Sequence, residues 1–244
     1  MNRIKNSPLL SIVFAVIISV IILFAAQKTN QLFGALIQPI TGDSFYLKNV
    51  FFKLILLVFT LIAYALLNKG SFKGLGFQKA EHYPFGKLLL RTALFTIGSL
   101  IVGNLIFKFA LGHLFPVEST QGFDMPSSLI QLILVVWIWS SFVEEVFVRG
   151  LLQGLIQHLK HIRIGKLSVP VIISGLFFGG MHSTLYFAGK DIWFVCTIVF
   201  FTSTIGLLAA WYREKYNSLW PAFYVHFFAN VIGGIPIIIL LLTK

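Results

Sequence analysis

Two glutamates and an arginine stand inside an apolar run, 139-WSSFVEEVFVRG-150, and they pose the chemical question of this chain. At about 100° per residue, Glu145 and Arg149 are i,i+4 neighbours on one helix face and can pair there. Glu144 lies five residues from Arg149, about 140° round the helix, so it shares that pairing less easily and is left to face something else. Further on, 174-SGLFFGGMHS-183 puts His182 one turn after Phe178. It sits on a helix whose Gly175 and Gly179 admit another backbone closely, with Gly180 as a second point of approach. The stretch 226-HFFAN-230 puts His226 and Asn230 on one face of the last helix. Each set alone also reads as packing glue. Together they place a carboxylate, two imidazoles and a carboxamide on three separate helices.

A carboxylate can take a proton from water and return it to a leaving group, and an imidazole or amide N–H can stabilise an oxyanion. That combination suits amide hydrolysis. Ser140 and Ser141 precede Glu144, but no histidine neighbours them in sequence, so no serine nucleophile competes. Glu144, His182 and His226 are also a two-His, one-Glu set of the kind that holds zinc with a fourth position open for water. A Glu144 that ligates a metal cannot serve freely as base, so water activated by the carboxylate is slightly favoured. The residues leave the metal question open.

These side chains must be positioned in lipid. Of 244 residues, 57% are hydrophobic and only 11% charged, where a soluble domain carries roughly 25% charged residues. Mean hydropathy is +0.89. Apolar runs near the ~20 residues that cross a bilayer fall at 9–26, 46–67, 87–110, 129–156, 169–187, 192–211 and 219–242. The expected fold is therefore all-α, a polytopic membrane bundle of about seven helices. Gly233, Gly234 and Pro236 could split the last span and make eight. Residues 1–128 hold helices without motifs and 129–244 hold the candidate catalytic core, within one structural domain.

The formal charge of +11 is spread through connecting loops rather than gathered in a stripe, which argues against nucleic acid as a partner. Arg3, Lys5, Lys69, Lys73, Lys79, Lys87, Lys160, Arg163, Lys166, Arg213 and Lys215 fall on one side. The other side has Lys28 and Lys190, and its third loop carries Glu118 and Asp124. By the positive-inside rule the N-terminus is cytosolic and the C-terminus outside. The first apolar run is long for a signal peptide and ends in a poor cleavage site, so it is read as an uncleaved helix. Trp193, Trp211 and Trp220 fall at span ends, as interfacial anchors do, whereas Trp137 and Trp139 lie deeper and read as packing residues. Cys196 has no partner and reads as a small core residue. His82, His113, His158 and His161 read as solvated surface.

The three sets resemble the motifs of the CPBP family, the CAAX proteases and bacteriocin-processing enzymes also called Abi intramembrane proteases. The family's EExxxR, FxxxH and HxxxN patterns are matched in order by Glu144-Glu145…Arg149, Phe178…His182 and His226…Asn230, over roughly residues 129–234. The resemblance implies that Glu144 activates water, with His182, His226 and Asn230 completing the site and Glu145, Arg149 and Phe178 supporting it. It also implies a metalloprotease label, with zinc held, if at all, by His182, His226 and Glu144. The implied substrate is a hydrophobic or lipidated, CaaX-like peptide, and the implied location a bacterial cell membrane. Two rivals remain. One is a proton relay or transporter, although no internal repeat is visible. The other is a non-catalytic scaffold or immunity protein that keeps the fold.

Overall fold

The computed structural model describes residues 7–42, 45–117 and 128–243. Arg3, Lys5, Glu118 and Asp124, which enter the charge count above, lie outside the described residues. The chain opens with α1 (Pro8–Leu32), whose first turn Ser7 caps through Leu10 N while Pro8 supplies a preset φ at N1. A short α2 (Gly34–Thr41) leads to α3 (Phe45–Leu67). Then come α4 (Phe85–Leu114), α5 (Leu129–Leu159), α6 (Val169–Phe187) and α7 (Ile192–Tyr216). Last are α8 (Leu219–Gly233) and α9 (Ile235–Leu242). Between α5 and α6 a two-residue hairpin, β1 (Arg163–Ile164) and β2 (Leu167–Ser168), stands where a plain loop was expected.

Among the described residues, six helices are long and apolar enough to cross a membrane, and α8 with α9 makes a seventh if taken as one span. The expected interruption of the last span is present as a 48° bend at Gly234. A Cβ at Gly234 would lie 3.0 Å from the Trp137 ring and 2.9 Å from the Asn230 carbonyl, so this corner is packed tightly against α5. Trp137 is buried there, and Trp139 Nε1 donates to the Val50 carbonyl of α3 at 3.3 Å. Both are packing residues, as their depth suggested.

Lipid tails are as apolar as leucine, so helix contacts come from close packing of small residues rather than from hydrophobic sorting. On α1 the buried positions are Ser11, Ala15, Ser19, Ile22 and Ala26, spaced three or four apart, while Leu9, Ile17 and Phe24 face outward. The closest approach joins α6 and α7. A Cβ added at Gly175 would meet Leu207 Cα at 2.8 Å, and one at Gly179 would meet the Val199 carbonyl at 2.7 Å. Gly206 of α7 returns the contact, since a Cβ added there would lie 2.8 Å from the Gly175 carbonyl. Gly180, expected to share this role, has open space where its Cβ would be. Gly150 and Gly154 of α5 pack against the loop at Gly74–Leu75.

Several solvated or core assignments change. Arg213, counted as a loop cation, is buried on an α7 that runs on to Tyr216, and its guanidinium donates to the Gly74 carbonyl (2.8 Å) and Asn217 Oδ1 (3.2 Å). With Leu219 N bonded to the Gly76 carbonyl at 2.7 Å, it ties the loop after α3 to the α7–α8 corner. His158 is not merely solvated, since its Nε2 lies 3.2 Å from Ser11 Oγ on α1. Cys196 is half-buried rather than a core residue.

Candidate active site

The backbone of α5 is irregular around its charges. Residues Leu132–Ser140 and Val146–Leu152 wind as π-helix, with an α-helical segment Ser141–Glu145 between them. π-Turns inside an α-helix occur frequently at functional sites. Despite the altered winding, Arg149 Nη1 lies 3.1 Å from Glu145 Oε1, so the pairing that their spacing suggested is present. Both side chains are almost wholly shielded, at 0% and 1% exposure. The second guanidinium nitrogen, Nη2, donates to the Gly206 carbonyl of α7 at 2.9 Å. The guanidinium also lies over the Phe178 ring, 4.5 Å from its centroid. That glycine-lined α6–α7 contact therefore brings both an acceptor and an aromatic face to the same arginine.

Glu145 Oε1 has a second partner, His226 Nδ1 of α8, at 3.0 Å. An Nδ1–H held by a carboxylate turns the other ring nitrogen elsewhere, and His226 Nε2 stands 3.7 Å from Glu144 Oε2. One imidazole thus spans the two carboxylates. The other, His182, has Nδ1 2.8 Å from the Phe178 carbonyl, which orients its ring in the same way. The Phe178 ring meets both imidazoles edge-on, with centroids 5.1 Å from His182 and 5.0 Å from His226. Asn230 does not pair with the histidine one turn before it; its amide donates to Ser141 Oγ on α5 at 2.9 Å.

Glu144 faces a residue that sequence reasoning missed. Lys53 of α3 donates to Glu144 Oε1 as a buried ion pair across 91 residues of sequence. The signal was available: a lysine five residues after Lys48 inside a span, where an ionisable group is costly enough to be read as functional. Ser141 was set aside as a nucleophile, and it enters instead as the acceptor for Asn230. Glu144, Glu145, Arg149 and Lys53 sum to zero formal charge with both imidazoles neutral, which keeps the cluster tolerable in a low-dielectric setting.

Glu144 and His182 also reach a hollow of about 440 Å³ between α1, α3 and the end of α6. Leu23, Phe52, Leu56 and Met181 form its apolar wall. Within this site Glu144, His182 and His226 do not fit a metal as they stand. Among the described residues no three His, Cys, Asp or Glu side chains gather closely enough to hold one, and the Lys53 ammonium lies against the Glu144 oxygen a cation would need.

Residues 126–232 match the family model described as Rce1-like, type II CAAX prenyl endopeptidase Rce1-like, in line with the CPBP resemblance of the three motifs. That stretch holds α5 to α8 and with them every residue of the cluster except Lys53. The family points to an intramembrane endopeptidase, and with the apolar helices to a multi-pass membrane protein. No curated protein and no solved structure matches the chain.

Proposed function

We propose that this chain, through its Rce1-like segment, hydrolyses a peptide bond of a membrane-associated or lipidated, CaaX-like peptide with water activated at Glu144. The observation that carries the reading is the Glu144 carboxylate itself: it borders an open hollow, with one imidazole 3.7 Å from Oε2 and a second on the same wall.

The chemistry follows from the residues of the cluster. Glu144 takes a proton from water as the water oxygen bonds to the scissile carbonyl carbon, and the carbonyl oxygen becomes an oxyanion. We assign the stabilisation of that charge to His182 and His226 beside Glu144, and to Asn230 once its amide leaves Ser141 Oγ, because N–H donors there lower the barrier most. With His226 Nδ1–H held by Glu145, a second proton at Nε2 makes the ring an imidazolium and gives the otherwise neutral cluster one positive charge, complementary to the oxyanion. When the tetrahedral intermediate collapses, the C–N bond breaks and the proton on Glu144 passes to the leaving amine. Arg149 holds Glu145, and Phe178 wedges the two rings, so both act on orientation. No step requires a metal bound to Glu144. With the N-terminus in the cytosol, the hollow opens towards the outer face of a bacterial cell membrane.

The test compares peptide termini by mass spectrometry in membranes of cells carrying wild type or Glu144→Gln at equal abundance. Termini that appear only with wild type are expected and would name the substrate. Unchanged termini would refute hydrolysis and bring the scaffold reading forward.

A further inference from the structure

Away from Glu144, an open pocket of about 840 Å³ lies at the end of the bundle where α4 and α8 begin. Lys79, Glu81, His82 and Tyr83 reach it from the connection between α3 and α4. Phe85 reaches it from the first turn of α4, and Tyr224 from α8. Tyr224 stands two residues before His226, about 200° round the helix, so it faces away from the Glu144 cluster. Its ring meets Phe85 edge-on at 5.6 Å, and Phe228, one turn further on, meets Phe85 at 5.8 Å. One face of α8 thus carries His226, while another packs aromatic rings against α4.

The charges of this pocket have no partners of their own. Lys79, Glu81 and His82 are exposed, and among the described residues no ion pair or side-chain hydrogen bond engages them. The rings are in a similar position. Nearby, Trp211 has Lys215 at 4.8 Å and Arg91 at 5.4 Å, and Tyr216 has Lys215 at 5.3 Å. Tyr216 packs on Tyr83, with centroids 5.6 Å apart. Among the described residues no cation lies over Tyr83, Phe85 or Tyr224. Ring faces are negative, so this group suits a cation brought by a ligand.

The charge pattern narrows the choice. Lys79 and Glu81 sum to zero with His82 neutral. A simple anion would meet Glu81 as a like charge, and a simple cation would meet Lys79. A group that carries both a phosphate and an ammonium satisfies the two at once. Location says where such a group comes from, because the ends of membrane helices lie at the level of lipid headgroups. Beyond the pocket α4 turns Leu90, Leu94, Ile97 and Ile101 outward, spaced four, three and four apart, as a face for acyl chains.

We infer that the pocket at the start of α4 and α8 binds the headgroup of a zwitterionic, ammonium-bearing phospholipid. Lys79 and His82 donate to its phosphate, and Glu81 accepts from its ammonium. Tyr83, Phe85 and Tyr224 flank that cation as an aromatic group. The bound lipid joins α4 to α8 on the side away from His226 and so fastens the helix that carries His226 and Asn230. The site does not depend on the hydrolytic reading.

Full-length protein, delipidated in detergent micelles and immobilised, is titrated with radiolabelled phosphatidylethanolamine. Saturable binding is expected, displaced by the same lipid unlabelled. Phosphatidylglycerol, diacylglycerol and inorganic phosphate should each displace it at least ~10-fold less well, because each leaves one of the two charges unmatched. Equal competition by phosphatidylglycerol or inorganic phosphate would make this an anion site and overturn the inference. Equal competition by diacylglycerol would make it an apolar seam and overturn it as well. Glu81→Gln should weaken phosphatidylethanolamine about threefold, in the range of an exposed ion pair, and leave phosphatidylglycerol unchanged or tighter. Lys79→Gln should weaken both lipids. Both positions are exposed, so equal melting temperatures without lipid are expected of the variants and wild type. No saturable binding, or binding that neither variant changes, would refute the assignment.

Discussion

Arg149→Met offers the sharpest test of how the cluster is held together. The substitution keeps an unbranched apolar stem beside Phe178 and removes the guanidinium. It leaves Glu145 with His226 as its remaining polar partner, and Gly206 loses the donor at 2.9 Å. Because Arg149 and Glu145 are 0% and 1% exposed, no water is at hand to take over from the lost charge. Breaking a pair buried this deeply destabilises by about 3–5 kcal/mol. The double variant Glu145→Gln with Arg149→Met removes both charges, and Gln keeps an acceptor for His226 Nδ1. What then remains is the bond to the Gly206 carbonyl, about 1.5 kcal/mol, at the low end for a charge-assisted bond because that carbonyl lies inside a helix. The double variant should therefore be more stable than Arg149→Met alone by about 2 kcal/mol, and with Glu145→Gln as the fourth corner a double-mutant cycle isolates the coupling behind that difference. Unfolding from mixed micelles, followed by tryptophan fluorescence, measures all four proteins. If the double variant is as unstable as Arg149→Met, the loss comes from guanidinium packing on Phe178 and the charge argument is wrong.

Two further outcomes follow from neighbouring geometry. Lys53→Met leaves the Glu144 carboxylate without its ammonium partner and should lower kcat at least ~10-fold, while Lys53→Arg, which keeps the charge, should retain more; equal losses in a steady-state assay on the substrate named by the terminus comparison would show that shape rather than charge matters. Adjacent glycines on α6 should respond oppositely: Gly179→Ala forces its Cβ onto the Val199 carbonyl and should cost about 1–3 kcal/mol, whereas Gly180→Ala, with open space around it, should be neutral or stabilising by up to about 1 kcal/mol, and similar unfolding midpoints would contradict the packing described.

The sequence by itself determined what lies along one helix. Span length follows from bilayer thickness, so the seven segments, including the bend in the last at Gly234, were legible from hydropathy and Gly/Pro placement. The Glu145–Arg149 pair was legible because four residues bring side chains onto one face even where the helix winds irregularly. The glycine face of α6 was legible in part: Gly175 and Gly179 pack as their spacing suggests, and Gly180 points elsewhere. The tertiary structure decided what lies between helices. It brought Lys53 to Glu144, set His226 across both carboxylates, moved Asn230 to Ser141 and buried Arg213 under the Gly74 loop. None of these follows from periodicity, because the rotation, tilt and depth of one helix against another are set by packing summed over the whole bundle. Composition fixed that charges would be scarce in the membrane; only the packed bundle fixed which of them would meet.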